Sequence, residues 1–220
     1  MKNKYKSIIV EGPIGVGKTT LATKLASSLG SEIMLEKFSE NPFLEKFYKD
    51  VGKFNKYTKT SKYALATQLY FLLQRADEFK GEEYQALKRN NIVSDYFIDK
   101  DKLFAKTILS SDEYLLYDRV HDGLKLNIEK PSLVIYLQTN AETLLNRIKE
   151  RGIKFEASIT EAYLQKIIDS YTQFFHSYKE SPLLIINTSN VNINNPDAYA
   201  MLLEEINKDI KGKIYFNPLS

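Results

Sequence analysis

The segment GPIGVGKTT has the clearest chemical signature in the chain. Gly12, Gly17, Lys18 and Thr19 match the phosphate-binding pattern G-x-x-x-x-G-K-[ST], with an apolar run before it and a helical pattern after it. In such a loop the backbone N–H groups face phosphate oxygens, the lysine reaches the β- and γ-phosphates, and the threonine hydroxyl binds Mg²⁺. We therefore predict a site for ATP and Mg²⁺. The predicted ATP contacts are Gly12, Pro13, Ile14, Gly15, Val16, Gly17, Lys18, Thr19 and Thr20.

Two acidic residues stand at the ends of short apolar runs. Glu36 ends EIMLE, and Asp95 ends NIVSD. Because ligands of open α/β sheets bind at the carboxyl ends of the strands, we expect both carboxylates near the phosphates. Glu36 could then take a proton from an acceptor hydroxyl, while Asp95 could serve Mg²⁺ together with Thr19. Either acid alone could instead be a helix cap or a solvated charge.

A pair of arginines lies further along the chain, in RIKERGIKFEAS. Arg147 and Arg151 are four residues apart, on one face of a predicted helix, and Lys154 follows in the adjoining loop. Cations placed in this way could close over the transferred phosphoryl group and stabilise its charge. We predict a short lid at about 147–158, with an ordinary solvated basic face as the alternative.

Five apolar runs predict the sheet that positions these residues: SIIVE, EIMLE, NIVSD, LVIYL and LLIIN. They lack polar alternation, which is typical of strands buried on both faces. Helical patterns occupy 18–29, 61–88, 112–128, 141–151, 160–178 and 196–211. This alternation predicts an α/β fold with a five-stranded parallel sheet flanked by helices. The polar segment 51–62 is predicted to be a surface loop, and the tail 211–220 could either pack or fray.

The composition limits the partners and the location. A chain of 220 residues can bury a full core, and we predict one domain over 1–220. The 31 basic and 28 acidic residues are mixed along the sequence, so we expect neither a nucleic-acid partner nor a membrane partner. The absence of cysteine is typical of a reducing compartment, and no secretion signal is recognised, which together predict the cytoplasm.

Six segments, in chain order, resemble the deoxyribonucleoside kinase family and in particular its bacterial deoxyadenosine/deoxyguanosine kinase branch. They are GPIGVGKTT, LEKFSENPFLEKFYKD, YALATQLYFLLQR, VSDYFIDKDKLFA, PSLVIYL and RIKERGIKFEASITEAYL. The resemblance runs from about Ser7 to Asn187. It implies a P-loop kinase fold and phosphoryl transfer from ATP to the 5′-hydroxyl of a deoxyribonucleoside, with a purine preferred, in nucleotide salvage. It also implies a homodimer.

The resemblance further implies a role for each matching residue. Glu36 would take the 5′-hydroxyl proton, and Lys18, Arg147 and Arg151 would stabilise the transferred phosphate, beside Thr19 and Asp95 at Mg²⁺. The implied substrate contacts are Glu36, Tyr48, Gln68, Arg75, Asp101 and Glu156. Among them, Gln68, Arg75 and Asp101 would read the base, while Tyr48 and Glu156 would bind the sugar 3′-hydroxyl. Phe71 or Phe104 would stack on the base, although aromatic residues at helical spacing also fit a core.

The chain departs from the family pattern at two places. The third motif, normally acid-Arg-Ser, reads Asp95-Tyr96-Phe97, so the arginine beside the 5′-oxygen is missing. We expect the Tyr96 hydroxyl or another lid cation to compensate. The segment 51–62 looks like an insertion, which leaves Tyr57 and Tyr63 as alternatives to Tyr48.

Two other functions share the phosphate-binding loop. A thymidylate-type monophosphate kinase would need cations near the second and third strands to receive the acceptor phosphate, and Glu36 and Asp95 stand there instead. A nucleotide-binding module without turnover would need neither a base nor a metal ligand. We therefore predict a deoxynucleoside kinase.

Overall fold

The computed structural model describes residues 4–51, 61–126 and 128–218. Most of the predicted surface loop 51–62 lies outside the described residues, and so does the alternative sugar contact Tyr57.

Within the described part of the chain, six parallel strands form one sheet. They are β1 (Ser7–Glu11), β2 (Glu32–Met34), β3 (Ile92–Ser94), β4 (Leu133–Gln138), β5 (Leu183–Asn187) and β6 (Lys213–Phe216), in the spatial order β2-β3-β1-β4-β5-β6. All five predicted strands are present, but the sheet has six strands and not the predicted five. β2 lies at an edge of the sheet and Ile33 is exposed, so its predicted burial on both faces is wrong. The sixth strand comes from the tail, where it pairs with the outer side of β5.

The sixth strand, β6, lies at an edge of the sheet and has a weak sequence signal. Lys213 and Tyr215 are exposed, whereas Phe216 is buried, so the segment lacks the continuous apolar run of the inner strands. Its pairing rests on backbone hydrogen bonds to one neighbour, which leave little trace in side-chain pattern.

Helices cover the sheet: α1 (Lys18–Leu29), α2 (Leu44–Val51), α3 (Ala64–Lys80), α4 (Glu82–Leu87), α5 (Lys100–Ile108), α6 (Ser111–Gly123), α7 (Ala141–Arg151), α8 (Glu161–Ser177) and α9 (Pro196–Asn207). The predicted helix 61–88 divides at Gly81, which is extended with φ −68° and ψ 154°. Two elements, α2 and α5, were not predicted as helices, and both bring residues of the site into place. No helix among the described residues is long and apolar enough to cross a membrane.

The core lies on both faces of the central strands. Successive strand residues point to opposite faces, and residues 133–137 of β4 and 183–186 of β5 are buried without a gap. Leu21 and Leu25 of α1 and Leu164 of α8 belong to the same buried core as these strand residues. Burial on both faces is the reason that these strands read as unbroken apolar runs.

Candidate active site

The phosphate-binding loop lies between β1 and α1, beside the point where the strand order reverses. A Cβ at Gly12 would collide with the carbonyl oxygen of Leu137 in β4. Gly15 has φ +80°, and a side chain there would press on Leu144 and Ile148 of α7. Glycine thus sets the shape of this loop, which is packed closely against both the sheet and α7.

Lys18 reaches back across the loop. Its Nζ donates to the carbonyl oxygens of Gly12, at 2.8 Å, and Pro13, at 3.3 Å. Burial lowers the pKa of Lys18, and the carboxylate of Glu11 opposes that effect. Loop carbonyls therefore hold the ammonium group within the loop where the sequence pattern predicts phosphate oxygens.

Thr19 and Asp95, the predicted Mg²⁺ ligands, are in direct contact. The Thr19 hydroxyl donates to Asp95 Oδ2, and Asp95 Oδ1 accepts from the backbone N–H of Glu36 at 2.8 Å. Both side chains offer the oxygen ligands that suit Mg²⁺, an ion usually bound by one or two protein groups together with substrate phosphates. Within the described ranges, no cluster of three or more histidine, cysteine or acidic residues could hold a metal. The pair thus fits a Mg²⁺ ion that arrives with a nucleotide.

Glu36 follows β2 by two residues, and cations hold both of its carboxylate oxygens. Oε1 pairs with Arg75 Nη2, and Oε2 accepts from Lys100 Nζ at 2.7 Å. Burial by itself raises the pKa of Glu36, but Lys100 and Arg75 outweigh it and lower the pKa to about 2. The group is therefore a carboxylate at neutral pH.

The predicted base-reading residues come together although they belong to different helices. Arg75 of α3 forms an ion pair with Asp101 of α5, and Gln68 lies two turns earlier on α3. The guanidinium group lies between two rings, 5.0 Å from the centroid of Phe71 and 4.8 Å from that of Tyr96. Gln68, Arg75 and Asp101 are all buried. Their hydrogen-bonding groups are thus held in one desolvated region.

The predicted sugar contacts come from α2 and from the 3₁₀ turn Lys154–Ser158. The ring of Tyr48 stacks on Phe155, with centroids 6.3 Å apart. Burial raises the pKa of Tyr48 well above its usual range, which keeps its hydroxyl able to donate. Glu156 is buried and accepts a hydrogen bond from Arg151 at 2.6 Å. A hydroxyl donor and a carboxylate acceptor therefore stand in the same region.

Arg147 and Arg151 lie one turn apart on α7 but contact different groups. The guanidinium of Arg147 donates to Oγ1 and to the carbonyl oxygen of Thr188, both at 2.9 Å, at the end of β5. Arg151 instead faces Glu156. Lys154 is exposed and does not line the cavity that the arginines border, so the structure does not group it with them.

These side chains line one cavity of about 880 Å³. Every predicted site residue borders it except Gly12 and Pro13, which are buried in the wall. Tyr48 lines the cavity whereas Tyr63 does not, which favours Tyr48 as the sugar contact. The cavity connects the phosphate-binding loop with Glu36 and with the predicted base-reading residues.

Comparison with known proteins agrees with this arrangement. A family model described as deoxynucleoside kinase matches residues 8–211. The chain belongs to the deoxynucleoside kinase family. Membership confirms the predicted family and the predicted class of enzyme, a phosphotransferase.

Individual members of the deoxynucleoside kinase family are similar over most of their length. A deoxyguanosine kinase of Bacillus subtilis is 33% identical over 170 residues, which are 77% of this chain and 78% of that protein. A deoxyadenosine kinase of Lactobacillus acidophilus is 29% identical over 219 residues, covering 93% and 96%. The structure of deoxyadenosine kinase from M. mycoides, with the products dCMP and a flexible dCDP bound, has a TM-score of 0.75 at 25% identity, covering 91% of this chain and 98% of that chain. These matches confirm the P-loop kinase fold.

Tyr96, which stands where the deoxynucleoside kinase motif has an arginine, does not line the large cavity. Its hydroxyl has no hydrogen-bond partner among the residues that the structure describes. Tyr96 instead borders a second cavity of about 70 Å³. The cation Lys100 contacts Glu36, but it belongs to neither the lid nor the third motif.

Sequence reasoning missed two charged residues, Lys100 in the cavity wall and Glu11 next to it. Lys100 begins α5 and stands between two aspartates in the segment IDKDKLFA, next to Asp101. Glu11 ends β1, and an acidic residue in an apolar strand just before the phosphate-binding loop indicates a buried charge. Both features are visible in the sequence, but neither indicates which residue the charged group contacts.

Proposed function

We propose that the protein transfers the γ-phosphoryl group of ATP, bound with Mg²⁺, to the 5′-hydroxyl of a deoxyribonucleoside, with a purine preferred. The product would be a deoxynucleoside 5′-monophosphate, and the reaction would be a step of nucleotide salvage. One observation carries the proposal: a single cavity joins the phosphate-binding loop to an ionised carboxylate and to a buried amide, guanidinium and aspartate. Such a cavity can hold donor and acceptor together, and phosphoryl transfer depends mainly on positioning and charge neutralisation.

At the phosphate end, backbone N–H groups of the loop and the ammonium group of Lys18 bind the ATP phosphates. Lys18 exchanges its carbonyl contacts for phosphate oxygens when ATP enters. Thr19 and Asp95 would hold Mg²⁺, which supplies neutralisation of phosphate charge when it is bound. Arg147 and Arg151 add positive charge from α7, since both border the cavity.

At the acceptor end, Glu36 takes the proton of the 5′-hydroxyl. Its backbone N–H is held by Asp95, which also contacts Thr19 at the start of α1. The proton acceptor and the phosphate-binding loop are therefore linked through one aspartate, which limits their relative movement. Correct separation of donor and acceptor accounts for much of the rate in such reactions.

The base and the sugar are bound by the remaining polar groups. An amide and a guanidinium group, from Gln68 and Arg75, can pair with the donors and acceptors along a purine edge, and Asp101 holds Arg75 in place. Tyr48 and Glu156 bind the 3′-hydroxyl. Support for a purine comes from relatives named for deoxyguanosine and deoxyadenosine.

Several features remain predictions from the sequence. They are the single domain, the lid at 147–158, the homodimer, the cytoplasmic location and the absence of a nucleic-acid partner.

The test is an assay of purified protein with ATP and Mg²⁺ against deoxyadenosine, deoxyguanosine, deoxycytidine, thymidine and dTMP in parallel, with products identified by mass. We expect deoxynucleoside 5′-monophosphates, formed fastest from the purines. Glu36→Gln should lower kcat by roughly 10²- to 10⁴-fold, the usual contribution of a general base. Glu45→Gln, an exposed acid on α2, is the matched control and should behave like the unchanged protein.

Two outcomes would contradict this function. Phosphorylation of dTMP alone would indicate a thymidylate-type monophosphate kinase. ATP binding without a product from any acceptor would indicate a nucleotide-binding module.

A further inference from the structure

Lys100 lies in the wall of the large cavity and contacts Glu36. Its Nζ is 2.7 Å from Glu36 Oε2, and its side chain is only 8% exposed. It borders the cavity together with Lys18 and Glu36. Burying an ammonium group is costly unless other charges compensate it. The charged partners of Lys100 therefore indicate its role.

Glu11 is the second partner. Its carboxylate is fully buried just before the phosphate-binding loop, and its Oε1 accepts from the N–H of Gly12 and from the hydroxyl of Tyr171, both at 2.8 Å. Its Oε2 has no hydrogen-bond partner within the described residues and lies 4.0 Å from Lys100 Nζ. Lys100 therefore stands between two carboxylates, one fixed to the phosphate-binding loop and one at the acceptor end.

The other cation on Glu36 is held differently. Arg75 also pairs with Asp101 and is sandwiched between two aromatic rings, so it has partners in the predicted base-reading region. Lys100 has no ion pair other than those with Glu36 and Glu11 in the described part of the chain. Oε1 of Glu36 is thus paired with a cation that also has partners in the predicted base-reading region, and Oε2 with a cation that has no ion pair there.

We propose that Lys100 is a positioning residue for phosphoryl transfer, holding Oε2 of Glu36 and so orienting the carboxylate that receives the 5′-hydroxyl proton. This inference rests on the proposed function. In the step itself the 5′-oxygen bonds to the γ-phosphorus, the bond from that phosphorus to the β,γ-bridging oxygen breaks, the hydroxyl proton passes to the carboxylate of Glu36, and ADP leaves. Lys100 does the work expected of the missing motif arginine from a different element, the start of α5.

The test compares Lys100→Met and Lys100→Arg with Lys102→Met. Lys102 lies on the same helix, is half-exposed and pairs with Asp118 and Asp122, so it is a matched control outside the cavity. We expect Lys100→Met to lower kcat by about 10²-fold, a usual effect of removing one preorganised charged donor. The KM for ATP should stay within about two-fold, because the phosphate-binding loop is intact. Lys100→Arg should recover kcat to within about ten-fold, and Lys102→Met should match the unchanged protein.

A double variant separates positioning from other roles. If Lys100 acts through Glu36, Lys100→Met should cost no further kcat once Glu36→Gln is present. An undiminished loss in that background would overturn the proposal, because it would mean that Lys100 acts directly on the phosphates. A purely structural role would reduce the folded fraction, measured by thermal unfolding, and leave kcat per folded molecule unchanged. Lys100→Gln replaces Lys100→Met if the latter does not fold.

The two proposals fail in different ways. Turnover by the unchanged protein with equal kcat in Lys100→Met would overturn the role of Lys100 alone. No deoxynucleoside phosphorylation by the unchanged protein or by Lys102→Met would overturn the proposed function, and the role of Lys100 with it.

Discussion

The two ends of the cavity are built in contrasting ways. The phosphate end is built around one continuous segment, Gly12–Thr20, and the contacts within that segment involve mainly backbone groups. The acceptor end is assembled from separate elements, and oppositely charged side chains hold it together. Glu36 reaches Lys100 across 64 positions of sequence, and Arg75 across 39.

This difference predicts different vulnerabilities. At the phosphate end the critical property is the absence of a side chain, since there is no space for a Cβ at Gly12. At the acceptor end it is charge balance, since each buried ion pair leaves an uncompensated charge when one partner is removed. Substitutions chosen at each end can therefore test the contrast.

The largest effect is expected from Arg75→Met at the acceptor end. This change leaves Asp101 buried without its cation and removes one of the two cations on Glu36. Breaking a buried ion pair typically costs about 3–5 kcal/mol of stability. Denaturant unfolding would measure the loss, with Arg119→Met, an exposed arginine on α6, as the control. A loss below about 1 kcal/mol would mean that charge balance does not hold this end together.

Gly12→Ala should have the next largest effect, at the phosphate end. The new methyl group collides with the carbonyl oxygen of Leu137, so the loop has to move. A shift of 1 Å in a reacting group can cost about 10²-fold in rate, which corresponds to about 2.7 kcal/mol. Steady-state kinetics should show this loss in kcat/KM for ATP.

The matched control for that change is Gly123→Ala, because no atom lies within 4 Å of a Cβ at Gly123. It should leave kcat/KM for ATP unchanged. Equal losses in the two variants would refute the claim that close packing at Gly12 is what the phosphate end requires.

Gln68→Met should have a smaller and selective effect. The substitution keeps the length of the buried side chain but removes its hydrogen-bonding amide. A lost hydrogen bond of roughly 1.4 kcal/mol would raise the KM for purine deoxynucleosides about ten-fold. The KM for ATP should not change. A parallel rise in both values would show that the two ends are not independent.

The smallest effect is expected from Tyr96→Phe. Tyr96 borders the small second cavity, and its hydroxyl has no hydrogen-bond partner in the described ranges, while the ring that contacts Arg75 is retained. Removing a buried polar group without a partner is neutral or stabilising. We expect kcat within about two-fold of the unchanged protein and no loss of stability. A large fall in kcat would mean that this hydroxyl serves the acceptor end after all.

The unequal success of sequence reasoning follows the same contrast. The phosphate-binding loop could be predicted residue by residue, because its conformation depends on glycine and on the adjoining strand and helix. Asp95 and Glu36 could be placed near it because parallel strands share one carboxyl edge. Lys100 could not be assigned, since a lysine at a helix start has many possible partners until the neighbouring elements are packed.

The sequence by itself determined the phosphate-binding loop, the first five strands and most of the helices around them. These depend on short-range conformational preference and on apolar periodicity, and both are determined by residues that are close in sequence. Only the tertiary structure decided that β6 joins the edge of the sheet, that Arg147 and Arg151 face different groups, and that Lys100 stands between Glu11 and Glu36. The physical reason is that pairing of backbone edges and buried charges depends on distances in space, which the order of the residues does not specify.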